Sequence, residues 1–290
     1  MSANAIEIRG LEKAFPGFAL GPLDLTVPAG AIYGFVGPNG SGKSTTIDLI
    51  FGMGAKDAGS ITVLGLDHLG DEVAMKRQVA YVSPDLFFDP WGRVRKVIQF
   101  VRGFYPTWDQ AYCERLMTSL DLGANDKINT LSFGARIKLG LLLALAWRPK
   151  VLILDEPTVG LDAISKHAIF AELLAAVQDE ERTILIASHG LTDVERFADH
   201  LGMIKNGRLI VEGATSDVIA RFRMVDLVAG ETILVSEHPG VVVQRRDGQR
   251  WRVLLDLRRT SLERLTMLGA TPVADAPVTL EELFIALGRA

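Results

Sequence analysis

The run from Gly37 to Thr45 has the residue types and spacing to hold phosphate. Gly37, Pro38, Asn39, Gly40, Ser41, Gly42, Lys43, Ser44 and Thr45 contain the pattern Gly-x4-Gly-Lys-Ser. Its glycines let the backbone curl until several N–H groups point inward at phosphate oxygens. Lys43 adds a mobile positive charge for β- and γ-phosphates, and the Ser44 hydroxyl is a ligand for Mg²⁺. A helix expected to open near Ser44 brings its positive end to the same place. A Gly-rich turn that matches by chance is the plain alternative. The apolar run Ala31 to Val36 directly before the pattern argues for a real phosphate cradle.

Phosphate chemistry also needs an acidic metal partner and a group that acts on water. Val151-Leu152-Ile153-Leu154 ends in Asp155-Glu156. Asp155 is the candidate to hold Mg²⁺, directly or through water, and Glu156 the candidate to accept or orient a proton of the attacking water. A solvated acidic pair is the alternative reading. His189 closes a second apolar run, Thr183 to Ala187. It is placed either to bond a γ-phosphate or the water, or to serve structurally.

These groups need elements to carry them. Ile6–Ile8 and Leu23–Val27 alternate like half-buried strands, and Ala31–Val36, Val151–Leu154 and Thr183–Ala187 read as strands buried on both faces. Further strands are expected at Ser60–Leu64 and Gln78–Ser83, and helices at Asp109–Leu120 and Ser165–Glu180. Strands alternating with helices imply an α/β fold with a parallel sheet. From about residue 223 the texture changes. Asp247-Gly248 between two strand-like runs predicts a hairpin, and Thr260–Glu263 and Thr279–Glu282 each fit a capping box opening a helix. The expected organisation is a nucleotide domain over 1–222, with a helical insertion at about 90–148, and a small α+β domain over 223–290.

With these motifs in this order, residues 1–220 resemble the ATP-binding subunits of ABC transporters, most closely the exporter-type ATPase subunits. Leu131-Ser132-Phe133-Gly134-Ala135 stands at the family's signature, Asp155-Glu156-Pro157-Thr158 at its Walker B segment, Gly160-Leu161-Asp162 at its D-loop and Ser188-His189 at its switch histidine. The resemblance implies a P-loop ATPase core with an antiparallel N-terminal β portion, and ATP with Mg²⁺ as ligands. It implies that Phe15 stacks on adenine, although a core aromatic is the alternative there. It implies that Ser132 and Gly134 reach the ATP of a second, identical or different ATPase subunit facing head to tail, with Asp162 supporting that contact or merely capping a loop. It also implies a multi-span membrane permease as partner and a place on the inner face of the cell membrane. Two departures stand out. The expected Q-loop glutamine falls on Pro84, which has neither a side-chain oxygen nor an N–H. Metal contact there is lost or passes to Asp85. The signature also has Phe133 for a glycine and Ala135 for the glutamine.

Composition narrows the classes. The 290 residues are 48% hydrophobic and 23% charged, so a disordered polar chain is excluded. A net charge of −4 speaks against a dedicated duplex-DNA binder, and nucleic acid is not an expected partner. Cys113 is the one cysteine, which excludes an intrachain disulfide framework or a multi-cysteine zinc site. Met1–Glu7 lacks a secretory pattern, so an intracellular protein is expected. The longest apolar stretch, Leu139–Trp147, falls short of the ~20 residues of a membrane span and reads as a core helix. Phe87, Phe88 and Trp91 are either packed or form a patch that receives a helix of the membrane partner. Arg245, Arg246, Arg250, Arg252, Arg258 and Arg259 make the tail basic, by default as a solvated face. Two other functions stay open: a soluble ATPase of the same type acting on nucleic acid or ribosomes, and a slow nucleotide-dependent switch.

Overall fold

A computed structural model describes residues 4–180, 182–230 and 238–289. By compactness the chain divides into residues 1–209 and 210–290. The division falls inside a strand, whereas the change in sequence texture at 222/223 coincides with the first strand of the last sheet.

The first unit begins with β1 (Asn4–Phe15) and β2 (Phe18–Pro28), paired antiparallel. β3 (Ile32–Val36) is buried throughout and leads through the glycine-rich loop into α1 (Lys43–Ile50). β4 (Ala58–Val63) and β5 (Leu66–Asp67) complete an antiparallel sheet of order β2-β1-β4-β5. α2 (Glu72–Lys76) precedes β6 (Val79–Val82). The insertion that follows holds α3 (Val94–Arg102), α4 (Gln110–Ser119) and α5 (Phe133–Leu145). β7 (Val151–Asp155), α6 (Ala163–Glu180), β8 (Thr183–Ser188), α7 (Leu191–Phe197), β9 (His200–Lys205) and β10 (Arg208–Ala214) follow. The central sheet has the order β10-β9-β3-β8-β7-β6, and its five strands from β9 to β6 run parallel.

This order decides where the chemistry lies. Val36 pairs with Ser188 and Asp155 with Ala187, so β3, β8 and β7 end level. The segments leaving their C-terminal ends therefore emerge side by side, the usual ligand edge of a parallel sheet. A core including Tyr33, Phe35, Ile47, Ile50, Ile153 and Leu185 fixes that edge from below. From Leu139 to Leu145, α5 is buried at every position, as expected of a core helix. Among the described residues no helix is long and apolar enough to cross a membrane.

The second unit continues with α8 (Thr215–Arg221), β11 (Phe222–Val228), β12 (Val241–Asp247), β13 (Arg250–Asp256), α9 (Leu262–Met267), β14 (Thr271–Pro277) and α10 (Leu280–Arg289). Its antiparallel sheet runs β12-β13-β11-β14. The hairpin forms where expected. Asp247 pairs with Arg250, so the two loop residues are Gly248 and Gln249. Only Gly248 has positive φ (59°), which is the type II′ pattern and not the type I′ that Asp-Gly alone suggests. Thr279 forms a reciprocal capping box: its hydroxyl accepts from Glu282 N (3.1 Å) while Glu282 accepts from Thr279 N (3.0 Å). The box expected at 260–263 is shifted. Ser261 is the cap, accepting from Arg264 N (3.2 Å), because Thr260 is buried beneath the helix start.

Candidate nucleotide-binding site

The glycine loop wraps as its sequence requires. Gly42 takes φ 110° at the start of α1, a conformation that a side chain would strain. A Cβ on Gly37 would overlap the Ile204 carbonyl oxygen and lie 2.6 Å from Ser41 Oγ, so only glycine passes between the loop and β9. Lys43 is buried, and its Nζ donates to Gly37 O (2.7 Å) and Pro38 O (3.3 Å). Gly17, Phe18, Asn39, Gly40, Gly42, Lys43, Ser44, Thr45 and Glu156 line a cleft of about 490 Å³.

Glu156 leaves β7 with φ 48°, a rare conformation for a side-chain-bearing residue that turns it towards its neighbours. Its Oε1 lies 3.7 Å from Lys43 Nζ. Its carboxylate accepts from His189 N (3.1 Å) and Ser188 Oγ (3.4 Å) and meets His189 Nδ1 at 2.9 Å. A cation for phosphate, a carboxylate for water and an imidazole thus form one chain of contacts, although they are 113 to 146 residues apart from Lys43 in sequence. Burial pushes the Lys43 ammonium below its ordinary value, and the Glu156 and Asp155 carboxylates oppose that. Burial pushes Asp155 up, opposed first by the Ser44 hydroxyl bonded to it.

Asp155 is buried and its Oδ1 has no hydrogen-bond partner. A buried carboxylate oxygen left open beside a hydroxyl fits a hard divalent cation, which takes oxygen ligands and completes its shell with phosphate and water. Among the described residues no group of three or more His, Cys, Asp and Glu side chains is placed to hold a metal, as expected where phosphate and water supply most of the ligands. Asp85 is exposed, and its N–H donates to Ser83 Oγ (3.2 Å).

The remaining predicted residues are not part of the cleft lining. Phe15 is exposed and stacks on Phe18, ring centroids 6.3 Å apart. Phe18 lines the cleft and Phe15 stands one ring further out. Ser132 caps α5, accepting from Ala135 N (3.1 Å). Gly134 faces Leu161, and Phe133 lies against Gly160, so the signature and D-loop segments touch within one chain. Asp162 caps α6 through Ser165 N (2.8 Å) and Ser165 Oγ (3.0 Å).

The comparisons with known proteins follow the same lines. The ABC transporter family matches residues 20–159. The daunorubicin/doxorubicin resistance ATP-binding protein DrrA of Streptomyces peucetius is 32% identical over 98% of this chain and 92% of its own length. The chain belongs to the ABC transporter ATP-binding proteins. The ABC transporter ATP-binding protein YtrB of Bacillus subtilis is 29% identical over 97% of both chains. The Nod factor export ATP-binding protein I of Rhizobium johnstonii is 35% identical over 73% of this chain and 70% of that one. Among solved structures, an ATP-binding subunit of an ABC transporter superposes with a TM-score of 0.67 at 24% identity, covering 74% of this chain and 92% of that one. CbiO1 of Clostridium perfringens gives 0.66 at 23% identity, with coverage of 76% and 92%. The protein is therefore an ATP-binding and ATP-hydrolysing subunit of an ABC transporter.

Some residues of this ABC site escape the motifs. Asp48 is one turn beyond Ser44 on α1, and its charge helps hold Asp155 up. The i,i+4 spacing from Ser44 was its only sequence signal. Ser188 joins the Glu156–His189 pair and also accepts from Gly190 N (2.9 Å). Phe18 lines the cleft next to Phe15, and no motif pointed to it.

Proposed function

We propose that two copies of this subunit, or this subunit and a similar one, close head to tail over two ATP molecules and drive export through a multi-span membrane permease. The contact chain Lys43–Glu156–His189 at the mouth of the glycine loop carries the reading. Lys43 exchanges its loop carbonyls for phosphate oxygens. The loop amides of Gly37–Thr45 and the start of α1 hold the remaining phosphate charge. Glu156 accepts a proton from the attacking water, and His189 fixes the carboxylate's orientation while facing the γ-phosphate. Ser44 and Asp155 hold Mg²⁺, which when bound neutralises phosphate charge. Asp85 supplies the polar contact that Pro84 lacks. The Tyr81 phenol is raised mainly by burial, with smaller contributions from the charges of Asp155, Asp48 and Asp85. Phe15 offers its exposed face to the base. Ser132 and Gly134 donate to the partner's ATP, and Asp162 holds the D-loop that borders it.

Export as the direction of transport is supported by the likeness to the Nod factor export ATP-binding protein I. In this reading the protein sits on the inner face of the membrane through its permease. Residues 1–222 are the nucleotide domain and 223–290 an added α+β domain. The test has two parts. Lys43→Ala should abolish Mg²⁺-dependent ATP binding, and the wild-type protein should co-purify with a multi-span membrane protein. Retained binding sinks the site, and absence of a membrane partner sinks the transport role of this chain. Asp85→Ala should raise the Mg²⁺ concentration needed for half-maximal turnover, and an unchanged requirement removes Asp85 from the site.

A further inference from the structure

Asp193 lies outside every motif, yet its carboxylate stands between the two segments that carry Glu156 and His189. It belongs to the first turn of α7, which opens directly after His189 and Gly190. Its Oδ2 accepts from Thr158 Oγ1 (3.3 Å) and from Lys166 Nζ (2.9 Å). Thr158 is the second residue after Glu156. It is buried, and its hydroxyl has no other hydrogen bond among the described residues. That hydroxyl therefore depends on Asp193 for the partner that a buried polar group requires.

These contacts close a ring. The backbone stretches Glu156–Thr158 and His189–Asp193 are joined at one end by Glu156 and His189, 2.9 Å apart, and at the other by Thr158 and Asp193. The His189 ring is half exposed and has no hydrogen-bond partner besides Glu156 among the described residues. Its distance from Glu156 is thus set by where the two backbone stretches lie. Glu156 itself has φ 48°, a conformation that persists only where the surroundings hold it. α7 supplies a firm support. A Cβ on Gly34 would overlap Val194 Cγ1, so Val194 seats α7 directly on the backbone of β3. Asp193, the residue before it, carries that fixed position across to Thr158. The ordinary use of a carboxylate at this place in a helix is to accept from the N–H of the capping residue. Here Gly190 N donates to Ser188 Oγ instead (2.9 Å), and Asp193 accepts no backbone N–H of α7 among the described residues.

We infer that Asp193 is a positioning residue for ATP hydrolysis: through Thr158 it holds the turn after β7 against α7, and so keeps Glu156 and His189 in contact. Lys166, on α6, holds the carboxylate in place for that bond. Asp193 touches neither nucleotide nor water in this role. It acts on the rate through the geometry of the pair, on which transfer of a proton from the attacking water depends. The inference rests on the roles proposed above for Glu156 and His189.

The experiment measures kcat, equilibrium ATP affinity and melting temperature on the full chain. The variants are Asp193→Ala, Asp193→Asn, Thr158→Val, His189→Ala and the double substitution Asp193→Ala, His189→Ala. Misplacing a reacting group by about 1 Å costs up to about a hundredfold. We expect Asp193→Ala to lower kcat about tenfold or more while ATP affinity stays within about threefold of wild type. Thr158→Val, which removes the other half of the bond, should match it. Asp193→Asn keeps an oxygen for Thr158 and should recover most of the rate. It loses the charge near the start of α7, so a role in helix stability alone predicts no such recovery. The losses in Asp193→Ala and His189→Ala should not multiply in the double variant, because both disturb one pair. A rate in His189→Ala within about threefold of wild type sinks the assignment of the pair, and this inference with it. A clear loss in His189→Ala beside near-wild-type rates in Asp193→Ala and Thr158→Val overturns this inference alone. So does a loss that asparagine fails to recover, or one matched by an equal loss of ATP affinity, either of which marks a merely structural role. If Asp193→Ala does not fold, Thr158→Val carries the same test.

Discussion

Glu156→Gln separates the two things this side chain does. The glutamine has the same length and keeps one oxygen to accept from His189 N, now 3.1 Å away. It meets the same backbone requirement at φ 48°. Lost are the negative charge 3.7 Å from Lys43 Nζ and the basic oxygen that meets His189 Nδ1. Removing a positioned proton acceptor costs a factor of about 10²–10⁴, or about 3–5 kcal/mol in the barrier. The lost charge works the other way in the ground state. At an effective dielectric of ~20, the Lys43–Glu156 attraction has a gross size of about 4 kcal/mol. ATP must compete with that attraction to recruit Lys43, and the carboxylate also repels the incoming phosphates. Nucleotide affinity should therefore hold or rise as turnover falls. Phosphate release at saturating ATP and Mg²⁺ gives the first quantity, equilibrium calorimetry the second, and light scattering on the ATP-bound variant shows whether a pair of subunits accumulates. Turnover within tenfold of wild type, or an affinity loss above tenfold, refutes the assignment.

Other substitutions probe the cradle itself. Because burial raises Asp155, the folded chain holds that proton more tightly than the unfolded chain. Its contribution is most favourable below the ordinary aspartate value and is lost as pH rises through the raised one. Asp155→Asn should flatten that part of the nucleotide-free stability profile and raise the melting temperature at neutral pH, while abolishing the stabilisation by Mg-ATP. A lower melting temperature without nucleotide refutes it. Gly37→Ala puts a methyl against Ile204 O and Ser41 Oγ. It should destabilise the chain by about 1–3 kcal/mol and abolish ATP binding, measured by denaturant titration and calorimetry. Thr279→Ala breaks the reciprocal cap of α10 and should cost about 1 kcal/mol of stability in the same titration, with the ATPase rate unchanged.

Local chemistry was the legible part of this sequence. The glycine loop, the apolar runs of β3, β7 and β8 and the box at Thr279 are each complete within a few residues, so their meaning does not depend on the rest of the fold. The contact of Glu156 with both Lys43 and His189 is different. It requires β8 to lie between β3 and β7 with level ends, and three buried strands in a sequence carry no sign of their order. The family resemblance implied that these residues serve one nucleotide, and the strand order that joins them is seen only in the fold. The shifted cap has an equally local cause. Thr260 and Ser261 are both competent caps, and burial of the first left the second to serve. Phe18 was not legible as a neighbour of the cleft, because only the β1–β2 register, which pairs it directly with Phe15, brings it there.

The segment from Asp155 to Asp162 links two sites that act on different ATP molecules in the proposed pair. At one end Glu156 serves the nucleotide held by its own glycine loop. A few residues on, Gly160 and Leu161 pack against Phe133 and Gly134, in the signature segment that the proposed pair turns towards the other subunit's nucleotide. The intervening turn is braced: Val159 N donates to Glu156 O and Leu161 N to Thr158 O, both at 3.3 Å. Thr158 is further tied to Asp193 (3.3 Å), which pairs with Lys166 (2.9 Å). The signature segment and Glu156 are thus joined by a short stretch of hydrogen-bonded backbone. Phe133 fits this arrangement. A ring there is larger than the glycine it replaces, and Gly160 leaves the space that it fills. The departure from the family signature thus adds an apolar contact between the signature and D-loop segments of one chain.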